Sequence, residues 1–188
     1  MTCRENDVTE AGAELNAEDT LSNTGLLRDV TIEDISTFFL QQLDETANHM
    51  AAFTAKNPSD KAAFLAHWAK ILGDNTIIKK AILVEGEVAG HIGSFEQFGH
   101  PEVSYWIGRP FWGQGLATRA LSDFLHILKV RPLYARAVKD NFASLWVLEK
   151  CGFTISGYNQ DFANARNEVV EELILRLDDN QSNSVVPQ

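Results

Sequence analysis

The apolar positions of the chain change period from one end to the other, and the changes mark out its elements. Leu26-Leu27-Arg28-Asp29-Val30 reads as a short first strand. Thr31-Ile32-Glu33-Asp34 then forms a capping box, with Thr31 as N-cap and Asp34 at N3 in place of the usual Glu or Gln. Ile35, Phe38, Phe39 and Gln42-Leu43 follow at helical spacing. A second helix opens near Asn57-Pro58-Ser59-Asp60, presents Ala62, Phe64, Leu65, Trp68, Ala69 and Leu72 on one face, and ends at Gly73. Thr76 to Val84 and Val88 to Phe95 are β-rich runs joined as a hairpin through Glu85-Gly86-Glu87.

Glu102 to Ile107 is the next strand, and Leu116 to Lys129 is strongly amphipathic, with Leu116, Ala120, Phe124 and Leu128 in one row. Leu133 to Val138 is a strand. Asp140 or Asn141 caps a helix that runs through Lys150 and stops at Gly152. Phe153 to Gly157 and Glu168 to Leu177 make a final strand pair around a polar loop, Asn159 to Asn167. The predicted order is strand, two helices, three strands, helix, strand, helix, two strands. That order predicts an α+β fold with a mixed sheet, neither strict βαβ alternation nor all-β. At 188 residues the chain is read as one domain, 26–177, between an acidic arm, 1–25, and a polar tail, 178–188.

The turn between the fourth strand and its helix carries the candidate chemistry. Gly108-Arg109-Pro110-Phe111-Trp112-Gly113-Gln114-Gly115-Leu116-Ala117-Thr118 places two glycines one residue apart where a strand becomes a helix. Bare N–H groups and the positive end of the helix dipole make that junction an anion site, here read as a pyrophosphate site. Charge agrees locally. The net charge is −10, but the arm contributes −5 and the tail −2, leaving only −3 on the domain. Residues 109–139 carry Arg109, Arg119, Lys129, Arg131, Arg136 and Lys139 against Asp123 alone. A basic patch this confined fits a small anionic ligand and does not suggest nucleic acid. No apolar stretch is long enough for a transmembrane helix, and no leader is apparent, so a cytoplasmic protein with no membrane partner is expected. Cys3 and Cys151 offer neither a disulfide framework nor a metal spacing, and no metal site is expected.

Two nucleotide readings of the turn fail. A mononucleotide loop needs Lys-Ser or Lys-Thr after the glycines, and none is present. A dinucleotide loop needs a third glycine, where Thr118 stands, and an acid about 20 residues on, where the chain reads Val130-Arg131-Pro132-Leu133. A turn that is merely structural stays open on these grounds alone.

A second motif adds to the first. Tyr105-Trp106-Ile107-Gly108, then Phe111 to Thr118, then Asn141-Phe142-Ala143-Ser144-Leu145-Trp146-Val147-Leu148-Glu149-Lys150-Cys151-Gly152-Phe153 resemble the GNAT superfamily of acyl-CoA-dependent N-acetyltransferases. Pro110 stands where that family's turn has Gln or Arg. The start and end of the motif are similar to the branch named for the ribosomal-protein N-terminal acetyltransferases. The resemblance implies a mostly antiparallel central sheet splayed at an acetyl-CoA site. It implies that the backbone of Trp106 and Ile107 pairs with the pantetheine amides, that Gly113, Gln114, Gly115, Leu116, Ala117 and Thr118 hold the pyrophosphate, and that Asn141 bonds the pantetheine arm. Arg109, Arg119 or Arg136 would meet the remaining phosphate charge. The acceptor would be a primary amine, on a peptide N-terminus or a small molecule, and the protein a monomer or homodimer.

Many members place a Tyr seven residues after this Asn to protonate the leaving sulfur, and here that position is Leu148. Ser144 is the substitute the resemblance suggests, as a hydrogen-bond donor to the sulfur. Glu102 is the candidate base, sharing a strand face with Ser104 and Trp106 by alternation. His100, His91, Glu171 and Glu172 stand in reserve, with His91 read as a core residue. Cys151 lies near a helix C-terminus, which disfavours a thiolate, so no covalent enzyme intermediate is expected. The alternative is a catalytically inactive acyl-CoA-binding protein of the same fold.

Overall fold

A computed structural model describes residues 26–179 of the protein. The acidic arm, 1–25, and all but the first two residues of the polar tail lie outside the described residues. Seven strands form one sheet in the order β1-β2-β3-β4-β5-β7-β6. They are β1 (Leu27–Asp29), β2 (Ile78–Val84), β3 (Glu87–Gln97), β4 (His100–Ile107), β5 (Leu133–Val138), β6 (Thr154–Ala163) and β7 (Glu168–Leu177). Five helices accompany them: α1 (Asp34–Gln42), α2 (Glu45–Ala51), α3 (Lys61–Gly73), α4 (Leu116–Ile127) and α5 (Phe142–Lys150). All neighbouring strands are antiparallel except β4 and β5, which are parallel and share one register pair, Glu102 with Tyr134. The mixed α+β architecture expected from the pattern is the one observed.

Alternation along the strands divides the core between the two faces of the sheet. On one face Ile82, Ile92, Val103, Ile107, Leu133, Ala135 and Leu175 join Leu116, Ala120, Leu121 and Phe124 of α4 and Val147 and Leu148 of α5. On the other, Ala81 meets Ile35, Phe38, Phe64 and Trp68 of α1 and α3. The two helix pairs thus cover opposite faces, and their packing fixes the middle of the sheet.

Three departures from the sequence reading have local causes. The capping box at α1 closes only one arm: the Thr31 N–H donates to Asp34 Oδ2 at 2.8 Å, while the Thr31 hydroxyl also turns to that carboxylate. Arg28 grips the same carboxylate through two bonds of 2.6 and 2.7 Å, so Asp34 anchors β1 to α1 and the helix begins at Asp34 itself. Helix α2 was not expected. Asp44 caps it by accepting the Ala47 N–H, and it buries only Ala47 and Asn48, too little apolar surface to show a period. The polar loop expected over Asn159 to Asn167 is instead strand through Ala163, closed by a tight turn. Strand β6 is an edge strand, exposed along most of its length, so its polar residues carry no burial signal.

Glycine is required at position 90, where β3 runs beside the end of β4. A Cβ there would lie 2.0 Å from the Trp106 carbonyl oxygen, backbone against backbone. Gly90→Ala is expected to lower unfolding free energy by about 3 kcal/mol or more. A urea denaturation midpoint within error of the parent would contradict that packing.

Candidate active site

Strand β4 ends at Ile107, a single 3-10 turn (Arg109–Phe111) follows, and α4 begins at Leu116. Between them Gly113 and Gly115 take φ of 74° and 70°. That left-handed conformation is open to glycine at little cost. Trp112 ties the turn back to β4, its indole N–H donating to the Ile107 carbonyl at 2.7 Å, and the Gln114 amide donates to the Pro110 carbonyl at 3.2 Å. Gly115 supplies no side-chain cap for α4. The backbone N–H groups of Gly113 to Thr118 find no acceptor among the described residues. They sit at the positive end of a 12-residue helix, a built anion cradle.

The cradle opens into a cleft of about 370 Å³. One wall is Tyr105, Trp106 and Ile107 of β4, and another is Asn141, Ser144 and Val147 at the start of α5. Of the expected cofactor residues, Trp106, Ile107, Gly113, Gly115, Leu116, Ala117, Thr118, Asn141 and Ser144 all line it, while Gln114 does not. The roof is Ala47, Met50 and Ala51 of α2, the helix the sequence concealed. Only the Asp44-x-x-Ala47 capping spacing could have signalled it. Tyr105 and Trp146 of the motif also line the cleft, and Trp146, which a core reading of the tryptophans would bury, is exposed. Lys150 Nζ lies 3.5 Å above the Trp146 ring.

Asn141 caps α5, its side-chain oxygen accepting the Ser144 N–H at 3.1 Å, and its amide donates to the Met50 carbonyl at 3.0 Å, which joins α5 to the α2 roof. The Tyr105 hydroxyl lies 3.4 Å from the Ser144 carbonyl oxygen, and burial pushes that phenol up to about 12. Cys151 is held at 3.6 Å from the Thr118 carbonyl, and burial raises its thiol as well. A raised thiol is a poor nucleophile at neutral pH.

Glu102 and Arg136 stand on the opposite face from α4, because their neighbours Val103, Ala135 and Ala137 pack against it. Arg136 Nε donates to Glu102 Oε1 at 2.8 Å, and another guanidinium nitrogen reaches Glu172 at 3.2 Å. The Phe98 ring covers the guanidinium at 4.5 Å. Burial holds the Glu172 carboxyl above the usual range even with Arg136 beside it. Arg136 is therefore committed to two carboxylates, and Arg109 contacts Asp44 and Thr46 at 3.4 and 3.0 Å. Arg119, in the first turn of α4, has no acidic partner among the described residues. Glu171 pairs with Lys139 at 2.6 Å and His100 stacks on Tyr134. Among the described residues no cluster of His, Cys, Asp and Glu is arranged to hold a metal, and no helix is long and apolar enough to cross a membrane.

A strand-helix junction with free backbone N–H groups, beside a strand edge that has no neighbour, is a geometry suited to an anionic group and to an extended chain. The sequence model described as "Acetyltransferase (GNAT) domain" matches residues 26–154, and the chain belongs to that family. Acetyl transfer is the chemistry that goes with it. Solved structures share the fold. RimJ of Mycobacterium smegmatis, in complex with CoA-disulfide, is 17% identical, with a TM-score of 0.69 over 84% of this chain and 83% of its own. The spermidine N-acetyltransferase of Vibrio cholerae, in complex with CoA and spermine, is 19% identical, with a TM-score of 0.64 over 80% and 94%. A putative phosphinothricin N-acetyltransferase is 23% identical, with a TM-score of 0.69 over 81% and 96%. No curated protein matches the chain.

The half-buried His91 packs its ring against the α1–α3 core, in line with its place in an apolar strand. Its ring packs 4.7 Å from Phe38 and 5.0 Å from Trp68, and burial lowers its pKa to about 4. The unfolded chain then binds a proton that the folded one refuses, so stability falls as pH drops from about 6.5 towards 4. His91→Phe is expected to remove about 2–3 kcal/mol of that acid sensitivity in unfolding free energy measured from pH 7 to pH 4. An unchanged slope would contradict it.

Proposed function

We propose that the protein transfers the acetyl group of acetyl-CoA to a primary amine, on a peptide N-terminus or a small molecule, by direct attack. The observation that carries this reading is the row of acceptorless N–H groups from Gly113 to Thr118 beside the β5-facing edge of β4, which is unpaired beyond Glu102. The cradle suits a pyrophosphate, with Arg119 available for further phosphate charge. The strand edge of Trp106 and Ile107 suits the amides of a pantetheine arm, and the cleft continues to Ser144. Solved neighbours that hold CoA support the same donor. The likeness to RimJ and to a ribosomal-protein-alanine N-acetyltransferase of Brucella melitensis, 17% identical each, supports the ribosomal branch.

In this reading Ser144 gives a hydrogen bond to the thioester sulfur. Glu102 is the base that takes the ammonium proton of the acceptor, in a cluster where Arg136 and Glu172 fix its orientation. Two carboxylates on one guanidinium leave one excess negative charge, which favours an incoming ammonium. Peptide amines and polyamines both fit that charge.

Three measurements test this. CoA is expected to bind by calorimetry and acetyl-CoA to release thiol across a panel of peptides and polyamines. Binding with no turnover on any amine would instead indicate an inactive acyl-CoA-binding protein. Gly115→Ala forces an L side chain into φ 70° with open space around it, so it is expected to weaken CoA binding about tenfold while costing only about 1–2 kcal/mol of stability. Glu102→Gln is expected to lower kcat about 100-fold with acetyl-CoA affinity retained; wild-type turnover in that variant would remove Glu102 from the chemistry.

A further inference from the structure

Few side chains on the cleft wall are free to give up a proton. Trp112 commits its indole N–H to Ile107, and Asn141 commits its amide to Met50 and its oxygen to Ser144. The indole nitrogen of Trp106 has no acceptor and is sealed from solvent. Leu148, one turn beyond Ser144 on α5, has no proton to offer and is buried in the core. Thr118, Ser144, Trp146 and Tyr105 remain, and Thr118 belongs to the anion cradle at the far end. Of the other three, the phenol is by far the strongest acid, since an indole N–H and an aliphatic hydroxyl stay protonated throughout the accessible pH range.

Position favours it as well. Binding the pyrophosphate at the α4 N-terminus sends the thiol end of the ligand along β4 towards the vertex where β4 and β5 meet, at Glu102 and Tyr134. Tyr105 stands on β4 between that vertex and Ile107, on the face that carries α5. Its hydroxyl is aimed at the first turn of α5, 3.4 Å from the Ser144 carbonyl. That separation is long for an O–H···O bond, so the proton is loosely held and a closer acceptor would take it. Burial keeps the phenol protonated throughout the neutral range.

We propose that Tyr105 is the general acid of the reaction, giving its hydroxyl proton to the departing sulfur while Ser144 holds the sulfur in place. The proposal rests on the acetyl-CoA reading above. The C–N bond forms as the C–S bond breaks, and the sulfur leaves with the bonding pair and takes the phenolic proton. Glu102 takes the first proton from the ammonium before attack and passes it to solvent, and as the amide forms the nitrogen releases its second proton by the same route. The phenolate recovers one proton from solvent. The sum is ammonium plus thioester giving amide, thiol and one proton released to solvent.

The test compares Tyr105→Phe, Ser144→Ala and 3-fluorotyrosine at position 105, with CoA affinity by calorimetry and melting temperature measured on each. Tyr105→Phe is expected to lower kcat about 100-fold, with the melting temperature and CoA affinity of the parent. Ser144→Ala is expected to cost less than about tenfold, the scale of one hydrogen bond. Fluorotyrosine, which keeps the hydroxyl, is expected to restore kcat to within about threefold. Turnover within about threefold of the parent in Tyr105→Phe would overturn the proposal, as would a loss matched by weaker CoA binding or lower melting temperature, or fluorotyrosine as slow as Phe. Failure of the parent protein to bind CoA at all would overturn the donor reading itself, a separate result.

Discussion

Strands β4 and β5 meet at one register pair, Glu102 with Tyr134, and part beyond it. A strand cannot leave a row of backbone polar groups facing an apolar gap without something to bond them. Trp112 answers for one of them by reaching back to the Ile107 carbonyl. Tyr105, Trp106 and Ile107 of β4 line the cleft. Elsewhere in the sheet the strands stay in register, with β3 and β4 paired from Gly90–Ile107 to Gln97–His100. At Gly90 the absence of a side chain lets β3 stay paired with the end of β4. The gap is thus a property of the sheet as a whole, held by α4 and α5 on one face and roofed by α2.

Charge is arranged around the same opening. Arg136 is the first outward residue of β5 past its pair with β4, and its guanidinium gathers Glu102 and Glu172 from strands on either side. Breaking such a buried cluster leaves an uncompensated charge, so it fixes the three strands relative to one another. It also separates two functions that looked alike in the sequence: Arg136 serves carboxylates on one face, while the anion cradle lies on the other. The basic segment around the turn divides between the two faces.

Much of the fold was legible because the responsible residues act locally. Leu116, Ala120 and Phe124 lie in one row of α4 whatever packs against them, and Gly113 and Gly115 bend the chain where the next helix starts. Helix α2 was not legible, since it is short, buries only Ala47 and Asn48, and is stabilised by a cap and by its contact with Asn141. The length of β6 was hidden for the opposite reason, as an edge strand needs no alternation where neither face is buried.

The site divides along the same line. The glycine turn and the Asn141 to Phe153 segment each announce themselves by residue type and spacing, because a left-handed turn and a helix cap are decided within a few residues. Together they point to the family on sequence alone. Tyr105 counts in the sequence only as part of the motif, and Glu102 as a candidate base at the start of its strand. What the tertiary structure alone decided is their partners: Tyr105 meets Ser144 across 39 positions of sequence, and Glu102 meets Arg136 across 34. Sequence determined the glycine turn and its bare N–H groups, since conformation there is local. The opening behind it, and which side chains face into it, depended on how the strands pair and on which helix closes above them.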